Sequence, residues 1–285
     1  FCTYCIVPYV RGREVSRSSD EIVAEVQSLV DQGVREITLL GQNVNSYGCT
    51  DAGSTNDMGF AQLLHAVHAI EGLERIRFTS SHPKDLSREL IECFATLPKL
   101  CPQMHLALQS GSDRVLHAME RGYTRTDYLQ RIEELRRSCP HIRLSTDVIV
   151  GFPGENRADF DDTLSMLEAV GFSDAFTFLY SPRPETKAAA MDDPVSKEEK
   201  QRWFDTLLER QKQISTRIWS QDVGATQKVL VEGKSRHGEG QVFGRNVWNR
   251  IVNFDAPEDL IGTEVEVQIV RSLNNSHLGT LKGRE

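Results

Sequence analysis

Between residues 19 and 181 the chain alternates between segments of helical periodicity and short β-rich runs, and this alternation limits its folds more than any other feature. The helical segments cover residues 19–32, 60–70, 87–95, 125–138 and 158–169. In the first of them Ile22, Val23, Val26, Leu29 and Val30 share a face, Ser18 and Ser19 precede Asp20 and Glu21 as N-caps precede first-turn acids, and Gly33 ends the pattern. The strand segments cover residues 36–41, 75–80, 104–109, 142–151 and 175–181. Strands separated by helices return parallel to one another through right-handed crossovers, so five such units predict a parallel α/β sheet or barrel. The stretch 181–194 breaks the pattern, and a long charged helix over 197–220 follows it.

After Asp222 the texture changes. Five short alternating segments, KVLVEG, QVFGRN, RIVNF, EVEVQIV and HLGTL, are separated by Gly, Pro, Asp and Asn. They predict a small five-stranded antiparallel barrel of the oligonucleotide-binding kind. The expected division is therefore 1–221 and 222–285, and about two domains suit 285 residues. No run approaches the ~18 apolar residues of a membrane span. The formal net charge of −8 means that any nucleic-acid contact must use local patches. Six cysteines in a chain this long are too sparse for a secreted disulfide scaffold and favour a reducing cytoplasm.

Polar residues gather at the C-terminal ends of the parallel strands: Gln42 and Asn43, then Ser80, Ser81 and His82, then Gln109 and Ser110, with Asp147 inside the fourth strand before GFPGE. Such residues serve as caps and loop formers. Four clusters at matching strand ends instead favour a cofactor rim, because ligands of parallel βα folds bind there. Cys2 and Cys5 form a C-x-x-C pair. On spacing alone it reads equally as part of an iron–sulfur site, half a zinc site, a redox pair or two structural cysteines.

CTYCIVPYVRGRE, LLGQNVNSYG, SSHP, LALQSGSDRVLHAMERGYT and STDVIVGFPGE together resemble the radical S-adenosylmethionine (SAM) methylthiotransferases. The resemblance runs through essentially the whole chain and implies a partial radical-SAM (β/α)6 barrel, followed by a TRAM-type RNA-binding barrel. It also implies a C-x-x-x-C-x-x-C cluster motif, of which Cys2 and Cys5 match the second and third cysteines. The first cysteine, the first barrel strand and a domain carrying a second cluster are then expected upstream of Phe1. The resemblance assigns Cys2 and Cys5 to a [4Fe–4S] cluster whose open iron binds SAM, with reductive cleavage giving a 5′-deoxyadenosyl radical. It places Tyr4 near the adenine and Gln42 and Asn43 near the methionyl group. Gln109, Arg121 and Asp147 are candidates for ribose and carboxylate contacts, Arg121 through its bidentate fork. No catalytic residue beyond the cluster ligands is expected. With two of three cysteine ligands, the chain alone is expected to be inert and to hold no stable cluster.

Within that family, GQNVNSYG and GRNVWNRIVNF resemble the members that methylthiolate carbon 2 of the isopentenylated adenosine 3′ of the anticodon in tRNA. Alternatives are the members acting on threonylcarbamoyladenosine in tRNA or on a ribosomal protein, and, in another class, a non-catalytic RNA-binding protein. The implied partners are the tRNA anticodon stem-loop and an electron donor such as flavodoxin, for a monomer with no membrane association. Residues 222–285 hold eight Lys and Arg against nine Asp and Glu, so their RNA surface must be local. Lys234, Arg236, Arg245 and Arg250 are the candidates there, with Phe243, Trp248 and Phe254 for stacking on splayed bases, although Phe254 also reads as core. Arg11, Arg13 and Arg17 could meet phosphates near the cluster. Cys49, Cys93, Cys101 and Cys139 are irregularly spaced and read as buried or loop residues. His65, His68, His82, His105 and His117 show no zinc-ligand spacing and read as surface or core histidines.

Overall fold

A computed structural model describes residues 2–12, 15–48, 58–79, 81–236 and 240–283. Arg13, Cys49 and Ser80, singled out above, lie outside the described residues.

The first region runs α1 (Val7–Arg11), α2 (Ser19–Asp31), β1 (Glu36–Leu39), α3 (Phe60–His68), β2 (Arg75–Phe78), α4 (Arg88–Thr96), β3 (Gln103–His105), α5 (Asp113–Ala118), α6 (Arg125–Ser138), β4 (Arg143–Val150), α7 (Arg157–Val170), β5 (Asp174–Leu179) and α8 (Lys197–Ser220). Local chemistry sets the helix starts. The Ser18 side chain accepts from the Glu21 N–H at the head of α2. Thr124 and Asp127 cap α6 reciprocally, as Asn156 and Asp159 cap α7. The five strands are parallel: β1 pairs with β2, and β3, β4 and β5 pair in that order. Isolated bridges between Ile76 and Leu100 and between Ser81 and Leu106 join the two pieces into one arc.

Strand period sorts the side chains. Ile76 and Phe78 of β2, and Leu144, Thr146, Val148 and Val150 of β4, are buried, and their apolar members pack into the main core with the helices. The alternate residues Arg75, Arg77, Arg143, Ser145 and Asp147 form a polar inner face. This arc is a partial barrel with a polar lumen.

β6 (Thr226–Lys234), β7 (Gln241–Asn246), β8 (Ile251–Asp255), β9 (Glu264–Ser272) and β10 (Ser276–Leu281) close into a barrel in the order β10-β8-β7-β6-β9. Four neighbouring pairs are antiparallel, but β8 and β10 are parallel. This corrects the expectation of a fully antiparallel barrel. An odd number of strands cannot alternate direction around a closed ring, so at least one neighbouring pair must run parallel. Val229, Val231, Val242, Val252, Phe254, Val267 and Ile269 fill this barrel. Gly244 is required where β7 crosses β6, since a Cβ there would lie 2.1 Å from the Leu230 carbonyl oxygen.

The barrel docks on the N-terminal ends of the parallel strands. Arg75 donates to the carbonyls of Arg245 (2.7 Å) and Lys228 (3.2 Å) and to Glu264 (2.8 Å). Arg77 donates to the carbonyls of Asn246 (2.8 Å) and Val247 (2.9 Å) and pairs with Glu36. Arg143 lies over the rings of both Trp219 and Trp248 and reaches Asp222 at 2.7 Å.

Candidate active site

At the opposite end of the lumen, the loops after the strands enclose a cavity of about 360 Å³. Gln42, Asn43, Gln109, Arg121 and Asp147 line it, together with Ser81, His82, His105 and Phe176. Five of the six residues expected to contact SAM are thus brought to one place. The sixth, Tyr4, packs beside Val115, Met119 and Phe152, its ring edge-on to Phe152 at 6.4 Å, and burial pushes its phenol above the usual range.

The strand ends aim these groups. Gln109 follows β3 in the left-handed backbone region (φ 65°), where a residue with a Cβ is held under strain. It is fixed there by its N–H to the Asp147 carbonyl (2.8 Å) and by the Ile149 N–H to its own carbonyl (2.9 Å). Asn43 donates to Asp85 at 2.6 Å and accepts from the His82 N–H at 3.2 Å, which ties the first and second strand loops together.

The cysteines sit on a turn beside this cavity. The Cys5 N–H donates to the Cys2 carbonyl (3.1 Å), and Thr3 anchors the turn to the end of α5 through Met119 and Ala118. Both cysteines line a second hollow of about 340 Å³ with Pro8, Tyr9, Glu120 and Lys187. Arg121 joins the two cavities. Its buried guanidinium donates to Cys2 Sγ (3.2 Å), to the Ala107 carbonyl (3.2 Å) and to the Tyr123 hydroxyl (3.3 Å).

Two histidines stand in the rim: His82, already among the strand-end polar residues, and His105, which the sequence reading placed only on the surface or in the core. His82 Nδ1 accepts from the Lys84 N–H at 3.2 Å, so Nε2 carries the proton of the neutral ring. Burial, with the positive charges of Arg121 and Lys84, pushes its pKa down to about 3. His105 faces the lumen between Ser145 and Asp147. Cys93 and Cys101 are buried, and burial raises their thiols to about 11, which keeps them protonated and poor ligands.

The donor set suits an iron–sulfur cluster and SAM. Thiols line the outer hollow, and the Ser81 hydroxyl, buried and without a partner among the described residues, lies in the wall of the rim cavity as an orphan for a polar ligand. Among the described residues no three His, Cys, Asp or Glu side chains converge on a metal.

The expected RNA contacts are dispersed. Arg11 and Arg236 are exposed. Lys234 pairs with Glu258 (2.7 Å), Arg245 with Glu232 (2.5 Å) and Arg17 with Glu25 (2.5 Å). Arg250 is not on the surface. It is 6% exposed, stacks over Trp219 and donates to the carbonyls of Leu273 and Asn274. Trp248 likewise belongs to the docking seam, where its Nε1–H meets the His141 carbonyl, and Phe254 is core.

Residues 1–167 match the Radical SAM superfamily. The chain belongs to that superfamily. Residues 221–282 of this radical SAM chain match the TRAM domain. It is 56% identical over 279 residues, 98% of its length and 63% of the relative's, to a tRNA-2-methylthio-N(6)-dimethylallyladenosine synthase of Syntrophotalea carbinolica. Over its whole length it is 47% identical to a protein of the same name from Legionella pneumophila, covering 64% of that relative. The chain thus spans under two thirds of the curated relatives it matches.

Two solved structures share the fold. A radical SAM methyltransferase of Kitasatospora setae, solved with cobalamin and a [4Fe–4S] cluster, superimposes with a TM-score of 0.54 at 18% identity over 66% of this chain and 36% of its own. The coproporphyrinogen III oxidase of Escherichia coli does so with a TM-score of 0.51 at 11% identity, over 91% of this chain and 64% of its own. Among the described residues no helix is long and apolar enough to cross a membrane.

Proposed function

We propose that the chain is the core of a methylthiotransferase acting on carbon 2 of the isopentenylated adenosine 3′ of the anticodon in tRNA, with residues 1–221 as the reaction barrel and 222–285 as the RNA grip. The observation that carries this is the rim: residues from four separate strand ends line one cavity, and Arg121 connects it to the Cys2 sulfur. The high identity to synthases of that name across nearly the full chain supports the substrate.

In this reading Cys2 and Cys5 hold a [4Fe–4S] cluster, with the third ligand and a second cluster supplied by parts of the protein outside this chain. Bound cluster and SAM supply a one-electron route to an unactivated C–H bond, which acid–base chemistry does not reach. The protein's own residues bind and orient. Gln109 and Asp147 present polar groups to the ribose, and Tyr4 offers an apolar wall beside the cluster turn. The Arg121 guanidinium places fixed positive charge between the thiols and the carboxylate of the cofactor. The target base must leave the anticodon-loop stack to reach the rim, so the RNA is held elsewhere as well. Lys234, Arg236 and Arg245 on the small barrel, and Arg11 beside the cluster turn, serve that grip. Arg13 is assigned to it from sequence alone. The enzyme works as a cytoplasmic monomer fed by a small electron carrier such as a flavodoxin.

The test is anaerobic reconstitution of the full-length protein, followed by incubation with SAM, reductant and isopentenylated tRNA and mass analysis of the nucleosides. A brown protein that yields 2-methylthio-isopentenyladenosine is the expected result. A colourless protein that still binds tRNA would make it a binding module. A modified ribosomal protein or threonylcarbamoyladenosine, with untouched isopentenylated tRNA, would overturn the substrate.

A further inference from the structure

His105 closes β3, in register with Ser145 of β4, and Asp147 stands two residues further along the same inner face. The three side chains form a line along the lumen wall. His105 Nδ1 is 3.1 Å from Ser145 Oγ, and Nε2 is 3.2 Å from Asp147 Oδ2. An ionised carboxylate only accepts, so Nε2 carries a proton and donates it to Asp147. The ring is nearly buried, its centroid lies 5.9 Å from that of the tilted Phe176 ring, and Phe176 pairs in register with Asp147. Packing and two hydrogen bonds thus fix the imidazole, and the imidazole fixes one carboxylate oxygen. The other oxygen, Oδ1, has no hydrogen bond among the described residues, while the carboxylate lines the rim cavity.

We propose that His105 is a positioning residue: it holds the Asp147 carboxylate in the orientation that leaves one oxygen aimed at a ribose hydroxyl of SAM. This rests on the reading of the rim cavity as the SAM site. His105 stands where the rim cavity meets a second lumen cavity of about 540 Å³ at the docking seam, the two sharing Thr79, His105 and Phe176. Without the imidazole the carboxylate is free to turn into that space. Second-sphere donors of this sort set the precision of a site without touching its ligand.

The test is calorimetric binding of S-adenosylhomocysteine, and of its 2′,3′-dideoxyribose analogue, to the reconstituted full-length protein. His105→Ala is expected to weaken S-adenosylhomocysteine about tenfold, the scale of one charge-assisted hydrogen bond. It should leave the dideoxy analogue within twofold of wild type. His105→Gln, whose amide can still donate to Asp147, should recover most of the lost affinity. His105→Ala added to Asp147→Ala should cost nothing further, because one residue acts through the other. Equal losses for both ligands, or additive losses in the double variant, would overturn the inference. Wild-type protein binding both ligands equally tightly would also overturn it, by removing the ribose contact itself. Failure of wild-type protein to bind S-adenosylhomocysteine at all would instead bring down the cofactor site, and this inference with it.

Discussion

Replacing Arg75 by Met is expected to loosen the small barrel from the parallel sheet while leaving each fold intact. Arg75 is 3% exposed and spends its guanidinium on two main-chain carbonyls and on Glu264, whose side chain is 24% exposed. Methionine fills much of the same volume and removes every one of these donors. Two carbonyls then lose their buried donor and the Glu264 carboxylate keeps only the exposed Lys228; at about 1–3 kcal/mol for each acceptor left short of its partner, the loss is about 3–5 kcal/mol. That corresponds to a factor of roughly 10² to 4 × 10³ in the docked-to-undocked ratio. Limited proteolysis between Ser220 and Thr226, and hydrogen exchange of the β6 and β7 amides, read the docking equilibrium directly. Accelerated cleavage there, with the β4 amides unchanged, is the expected pattern. Adding Glu264→Leu to the Met variant should return part of the loss, since the carboxylate left with Lys228 alone goes with it. An effect of Arg75→Met below about 1 kcal/mol would refute the reasoning, because it would mean that the seam's other contacts, those of Arg77 and Arg143 among them, hold it without Arg75.

Further outcomes concern pH, packing and the cluster. Burial works against the ionised form of Glu264, but hydrogen bonds from Arg75 and Lys228 outweigh it and hold its pKa below the usual value. Its contribution is therefore complete above the unfolded value of about 4.3 and is lost as pH falls through the folded one; acid melts of wild type and Glu264→Gln should converge there. Glu155 runs the other way. Burial raises it to about 7 against the Gly151 and Phe152 N–H groups, so its folded state prefers the proton. Stability should fall by roughly 3 kcal/mol as pH rises from about 4.3 to 7, and Glu155→Gln should flatten that fall in thermal melts. Gly244→Ala should unfold the small barrel outright, and Phe254→Ala should cost it about 3–5 kcal/mol in urea titrations. In the full-length reconstituted protein, Cys2→Ser or Cys5→Ser should remove this cluster's share of the iron and visible absorbance, leaving that of the second cluster, while the far-UV circular dichroism stays unchanged.

The rim was readable because strand ends in a parallel βα fold converge wherever the chain places them, so Gln42, Asn43, Gln109 and Asp147 needed only their strands to be found. The long helices α6 and α8 were equally plain, since their caps and periodicity are local. α1 and α5, at five and six residues, carry too little pattern to register. His105 hid inside MHLALQ, where neighbouring apolar residues suggest a wholly apolar strand; the alternate side chains in fact face a polar lumen. The seam hid for the same reason. RIRF alternates strictly, and two arginines on one face of a barrel strand signal a polar partner beneath it, yet the partner lies more than 150 residues away in the chain. Arg250 reads as a surface cation because nothing near it in sequence announces Trp219.

The two seam arginines grip mostly main chain: the carbonyls of Lys228, Arg245, Asn246 and Val247. A socket that reads backbone is indifferent to what the plug wears. At positions 228, 245 and 247 the side chains can be exchanged with little effect on these four bonds, so long as β6 and β7 keep their course. Attachment and display are thereby separated. The face proposed to meet RNA can be re-lettered for a different sequence or loop while the module stays seated at the same angle to the parallel-strand barrel. A graft of a different small barrel with the same strand path should dock in the same place.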